Sequence, residues 1–248
     1  MRAKEFKFTT DAPMSGHSKH NIEVRRSPPA ANVFKLNTDG AFLQGKYTGS
    51  IGGALRDSSG NWIIGFSKLF FAYSHVMAKL QALHTGLEIA LDKHITTLEV
   101  EVDSTEVIKL FNYAHPNYQS TVESCRSLLR RLGNPVVCHN FRQGNRLADI
   151  LAKEGSLLEL NNDDHILVVA PAGARPILQA DKNGETTTKS ISLSTCTKLA
   201  MLGNLNIICN GVTSIDANST TTREASSLST TAAVMFIYIY IWYPFPPK

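Results

Sequence analysis

The stretch Phe34-Lys35-Leu36-Asn37-Thr38-Asp39-Gly40 alternates apolar or β-branched residues with polar ones. That is the period-2 signature of a strand with one covered face. Asn37 and Asp39 share the polar-bearing face, and Gly40 follows where a strand end can turn. Outward from it, Gly52–Arg56 and Trp62–Phe66 flank Asp57-Ser-Ser-Gly60-Asn61, a hairpin with turn-forming residues at its tip. Met77, Leu80, Leu83, Leu87 and Leu91 recur at steps of three and four and predict a helix over 75–92. Leu98, Val100 and Val102 oppose Glu99, Glu101 and Asp103 in a second alternating run. Helices are expected over 104–111 and 121–132, a short strand over 136–141 and an amphipathic helix over 145–158. The order β-β-β-α-β-α-α-β-α predicts an α/β protein. Its mixed five-stranded sheet starts with three antiparallel strands, continues with parallel ones and carries helices on both faces. Sites in such sheets form beyond the carboxyl ends of strands, where Asp39 and Asp103 fall.

The 248 residues are 43% hydrophobic and 19% charged, which suits one domain of ordinary size with extra segments. The net charge of +4 is compatible with a polyanionic partner without demanding one. Four dispersed cysteines without a C-x-x-C pair argue against a zinc or disulfide framework and for a reducing compartment. The first residues carry no apolar signal region. Residues 1–32 are polar and end in Arg25-Arg26-Ser27-Pro28-Pro29, so they are expected to be a disordered linker. The main domain is assigned to 33–160 and an extension to 161–184. Residues 185–248 are expected to be disordered, because 186–231 is rich in Ser, Thr and Asn with little periodicity. The apolar run within 233–245 falls short of the ~20 residues of a membrane span, so no membrane association is expected. Its Ile-Tyr alternation is what an in-frame ATATAT repeat encodes, and we take the tail as read-through or a misplaced exon boundary. A spliced messenger containing it would contradict that.

Four motifs then stand together: Lys35-Leu-Asn-Thr-Asp39-Gly-Ala, Gly52-Gly-Ala-Leu-Arg-Asp57-Ser-Ser-Gly60, Val102-Asp103-Ser104 and Asn145-Arg-Leu-Ala-Asp149-Ile-Leu-Ala-Lys153. In this order and spacing they resemble the plant ribonuclease H-like, reverse-transcriptase-like family, whose members occur as single domains and at the end of non-LTR retroelement polyproteins. The resemblance covers about 33–158 and extends weakly through 165–184. It implies the ribonuclease H-like fold and endonucleolytic hydrolysis of the RNA strand of an RNA/DNA hybrid. A monomer is expected, and the missing signal region with this substrate class points to nucleus or cytoplasm. The implied cofactor is a pair of Mg²⁺ ions, with Mn²⁺ as the substitute. A phosphodiester is anionic, so water attacks it only when charge on nucleophile and leaving oxygen is neutralised, and Mg²⁺ prefers oxygen ligands. By resemblance Asp39 bridges both ions, Asp103 holds one on the nucleophile side and Asp149 holds one from the first turn of the last helix. Gly40, Asn145, Arg142 and Arg146 are expected to contact nucleic acid. Each aspartate also has a plainer reading: Asp39 in a turn cap, Asp103 as an N-cap, Asp149 as a solvated first-turn acid.

Lys79 departs from the family, which carries Glu in this place. Val76 and Leu83 flank it at helical spacing, so its side chain is expected to face the sheet; the alternative is a surface lysine that snorkels outward. Facing inward, each Lys–Asp contact at ~4 Å and an effective dielectric of about 20 is on the order of 4 kcal/mol before desolvation. That competes with a metal ion and removes a ligand. The expected activity is therefore reduced or absent, with a catalytically dead hybrid-binding module or a degraded retroelement copy as the alternatives.

Overall fold

The computed structural model describes residues 19–209 apart from 114, 161 and 162. The elements are β1 (Lys19–Val24), β2 (Phe34–Leu43), β3 (Thr48–Arg56), β4 (Trp62–Phe71), α1 (His75–Asp92), β5 (Leu98–Val102), α2 (Thr105–Leu110) and α3 (Gln119–Arg131). They continue with β6 (Val137–His139), α4 (Arg146–Gly155), β7 (His165–Leu167), α5 (Arg175–Lys182), β8 (Thr187–Ser192), α6 (Leu193–Met201) and α7 (Leu205–Cys209).

The main sheet has the order β6-β5-β2-β3-β4-β7. β2, β3 and β4 run antiparallel, and β2–β5 and β5–β6 are parallel, as the alternating pattern requires. The α/β class with a mixed sheet expected from the sequence is the one observed. The expected count of five strands is corrected to six, because β7 pairs with β4. β7 has three residues and an exposed Ile166, too little for a periodic signal, yet it covers the edge of β4.

α1 packs on one face of β2 and β3, and α4 packs on the other. Ser74 starts α1 by accepting a hydrogen bond from the Met77 N–H at 3.0 Å. The stripe Leu80, Leu83, Leu87 and Ala90 is buried against Leu36, Ile51, Val100 and Val102 in the main core. Two glycines let the helices close in. A Cβ on Gly40 would lie 2.4 Å from the Ala78 carbonyl carbon on α1, and one on Gly52 would lie 2.1 Å from the Ala152 nitrogen on α4. Both approaches fall beside Asp39, which pairs with Gly52 across the ladder.

Two further corrections concern the flanks. β1 lies inside the expected linker and pairs antiparallel with β8 inside the expected disordered tail. Ile22 and Val24 from β1 and Ile191 from β8 bury a satellite core with Phe141, Cys196, Leu199, Ala200 and Ile207. β8 reads Thr-Thr-Lys-Ser-Ile-Ser, a composition that suits both a polar coil and a half-buried strand, and the apolar partners decide it. Residues 1–18 and 210–248, including the Ile-Tyr run, lie outside the described residues. No described helix is long and apolar enough to cross a membrane. Cys125 and Cys196 are buried and unbridged.

Candidate active site

The parallel ladder between β2 and β5 ends at Thr38 and Val102. Asp39 and Asp103 are the next residue on each strand, so two carboxylates meet where the ladder stops. Asp39 is held in the body of β2, and its Oδ1 accepts the Gly40 N–H at 2.8 Å. Asp103 does not cap the following helix. Ser104 does, accepting the Val107 N–H at 3.3 Å, which leaves the Asp103 carboxylate to the site.

Lys79, in the second turn of α1, points inward. Its Nζ donates to Asp103 Oδ1 at 2.6 Å and to Asp39 Oδ1. The ammonium thus sits between the two aspartates, with 12% of the side chain exposed. Burial and the neighbouring Asp103 raise the Asp39 carboxyl to about 6, and Lys79 restrains that rise. Burial alone would lower the Lys79 ammonium, but Asp39 and Asp103 outweigh it and hold the group above its ordinary value. The Arg142 Nε lies 3.6 Å from Asp103 Oδ2, and 77% of the Arg142 side chain faces solvent. That Oδ2 is buried without a hydrogen-bond partner among the described residues.

The remaining candidates separate. Asp149 lies in the first turn of α4 and pairs with Lys153 at 2.5 Å, its side chain 40% exposed. This is the solvated first-turn arrangement. Asn145 and Gly40, expected to meet nucleic acid, are buried. The Asn145 amide donates to the Thr38 carbonyl at 3.0 Å and pins the start of α4 beside Asp39, while Gly40 is covered by α1. Arg146 turns to Asp181 of α5 at 3.3 Å. Arg142 alone of these four keeps its charge open to solvent beside the aspartates. His75 begins α1 and packs edge-on against Phe42. Tyr73 and Phe71 are exposed, and Tyr73 stacks on Tyr118.

The site does not fit a pair of divalent ions as it stands. Among the described residues no three His, Cys, Asp or Glu side chains come together to hold a metal. The two aspartate oxygens best placed for one are bonded to an ammonium, and Asp149 is neutralised elsewhere.

A second charged cluster, on the same face of β2, escaped the sequence reading. The Lys35 Nζ donates to Glu101 Oε1 at 2.5 Å and lies 3.2 Å from Glu99. Glu101 Oε2 also accepts from Asn37 at 2.9 Å and Asn140 at 2.7 Å. Arg56 joins Asn37 at 2.9 Å to Asp181 at 2.7 Å. Lys35, Glu101, Asn37 and Arg56 are all buried. Burial opposes ionisation of Glu101, but Lys35 and the two amides hold its carboxyl below the ordinary range. The available signal was a cation and an amide in register with two carboxylates on one face of parallel neighbours, Lys35 beside Glu99 and Asn37 beside Glu101.

Comparison with known proteins bears on what this arrangement is. Residues 37–155 match the family model described as reverse transcriptase-like. A provisionally named ribonuclease H protein of Arabidopsis thaliana is 31% identical over 169 residues, which are 66% of this chain and 27% of that protein. The chain therefore spans about a quarter of that relative's length. Among solved structures, RNase H1 from the archaeon Halobacterium salinarum NRC-1 aligns at a TM-score of 0.46 and 23% identity, covering 50% of this chain and 96% of that one. The compost-derived LC11-RNase H1 aligns at 0.45 and 24% identity, covering 50% and 95%.

Proposed function

Residues 37–155 belong to the reverse transcriptase-like family, and on that footing we propose that the chain is a ribonuclease H-like module that engages RNA/DNA hybrids while its hydrolytic centre is silenced by Lys79. One observation carries this: the Lys79 ammonium donates to both Asp39 and Asp103, the two carboxylates that meet at the end of the β2–β5 ladder. A cation fixed there by the chain itself takes the place an exchangeable divalent cation would need. It also puts a fixed positive charge where the family uses a carboxylate.

What remains suits binding better than cleavage. Arg142 presents a mostly exposed guanidinium beside Asp103, the geometry of a phosphate contact. It stands three residues before Asn145, whose amide ties the start of α4 to the Thr38 carbonyl of β2.

The test is cleavage of a labelled RNA/DNA hybrid in Mg²⁺, comparing the native chain with Lys79→Glu. We expect the native chain to be inert, and the substitution to restore strand scission that Asp39→Asn then abolishes. Native cleavage that is lost in Asp39→Asn would overturn the proposal, since Lys79 would then not silence the site. If Lys79→Glu binds hybrid but stays inert, the module binds without a latent nuclease.

A further inference from the structure

At the end of the sheet opposite the aspartates, the tip of the β3–β4 hairpin, the segment after β1 and the end of α5 enclose a cavity of about 270 Å³. Arg25, Arg26, Ser58, Ser59 and Lys182 line it together with Asp181. Arg26 is 5% exposed, an unusual burial for an arginine. Its Nη2 donates to the Asp57 carbonyl at 3.3 Å, but its Nε is buried with no hydrogen-bond partner among the described residues. The Nε of the neighbouring Arg56 is in the same condition.

Burial, and then the proximity of Arg56, depress the Arg26 guanidinium to about 10. Two guanidiniums are thus forced together in a low-dielectric setting, each with a donor to spare. The nearby carboxylates satisfy them only in part: Arg56 pairs with Asp181 at 2.7 Å, but among the described residues no carboxylate reaches either Nε. Asp181 is shared between Arg56 and Arg146. The Asp57 carboxylate is taken up by the Asn61 side chain at 2.7 Å and the Asn61 N–H at 2.8 Å. Lys182 reaches Asn61 Oδ1 at 2.7 Å, which holds its ammonium at the cavity rim, and Arg25 is exposed there.

We propose that this cavity binds a phosphate group, with Arg25, Arg26 and Lys182 supplying charge and Ser58 and Ser59 supplying hydroxyl donors. The planar guanidinium fork matches a pair of phosphate oxygens, and an anion here relieves the repulsion between Arg26 and Arg56. The cavity is smaller than the ~300–1,000 Å³ of a drug-sized cleft, so it suits one phosphate and not an extended ligand. The phosphate comes either from a free nucleotide or from a polynucleotide backbone. Neither the family membership nor the silence of the aspartate centre enters this inference, so hybrid cleavage and phosphate binding fail or succeed separately.

The full chain and the double variant Arg25→Ala/Lys182→Ala are to be compared by thermal unfolding at constant ionic strength. The probes are inorganic phosphate, a 5′-mononucleotide, a short single-stranded oligonucleotide, and chloride and acetate as controls. Both substituted residues are exposed, so the variant keeps the fold, whereas removing the buried Arg26 would confuse folding with binding. At ~100 times the dissociation constant, phosphate should raise the wild-type Tm by about 5–10 °C, and the variant should lose most of that rise. A rise with phosphate and mononucleotide identifies a free-phosphate site, and a rise with the oligonucleotide alone identifies a backbone contact; both support the proposal. Equal rises in wild type and variant, an equal rise with acetate, or no rise with any probe would overturn it.

Discussion

Lys35 and Lys79 each sit against two carboxylates, yet their surroundings make the two clusters different objects. The Lys35 cluster is closed. Its ammonium meets Glu99, Glu101 and the Ser27 carbonyl, and both Glu101 oxygens are bonded, one of them to two side-chain amides. α7 seals it, because its Asn206 donates to Asn140 at 3.1 Å. The Lys79 cluster is open. One Asp103 oxygen has no hydrogen-bond partner among the described residues, Asp39 carries a raised proton affinity, and an exposed arginine stands at the rim. A buried polar network fixes a structure where its charges are paired and bonded, and costs free energy where a polar atom is left without a partner.

The largest effect expected from breaking this contrast is in the closed cluster. Glu101→Gln leaves the buried Lys35 ammonium with only the partly exposed Glu99 as a charge partner and should cost ~3–5 kcal/mol, read from denaturant unfolding. A loss below ~1 kcal/mol would mean that the cluster is not the structural member of the pair.

Next comes a pH experiment that separates the two. The Asp39 carboxyl is raised in the fold, so the stability linked to it is complete below its unfolded value and is lost as pH climbs through about 6. Glu101 is shifted down, so its contribution is present above the unfolded value and is lost only in more acid solution. Between pH 7 and 5, therefore, acid relieves the open cluster and leaves the closed one unchanged. Lys79→Met removes the cation that restrains Asp39 and should make the Tm about 3–6 °C higher at pH 5 than at pH 7, a larger gain than in wild type. Identical pH dependence in the two proteins would show that Lys79 does not govern Asp39.

The smallest effect sharpens the view of the rim. Arg142→Ala should leave stability within about 0.5 kcal/mol, because the side chain is largely solvated. It should weaken hybrid binding and lower the slope of log affinity against log salt by about 1. Unchanged binding would remove Arg142 from the interface.

The sequence made the sheet and the helices around it legible because Leu36, Val100, Leu83 and their neighbours repeat with clear periods. It placed Lys79 inward for the same reason: its helical neighbours are apolar. It did not reveal that Asp149 prefers Lys153, since an i,i+4 partner on a helix competes silently with a distant site. Asn145 looked like a recognition residue and is a buried peg, because a short amide gives no hint of which side of a helix start it serves. The β1–β8 ribbon was invisible for a different reason. Each strand is mostly polar, and only their meeting buries Ile22, Val24 and Ile191.

That ribbon also sets a timetable. Lys19 pairs with Ser192, so the first described strand of the chain has no partner until nearly all of the described fold has left the ribosome. At cellular translation rates the wait is on the order of ten seconds. Meanwhile Ile22 and Val24 are uncovered, and Glu101 lacks the final seal that Asn206 provides through Asn140. The newborn chain therefore passes through an interval in which its central sheet can assemble but its charged interior still lies open to water.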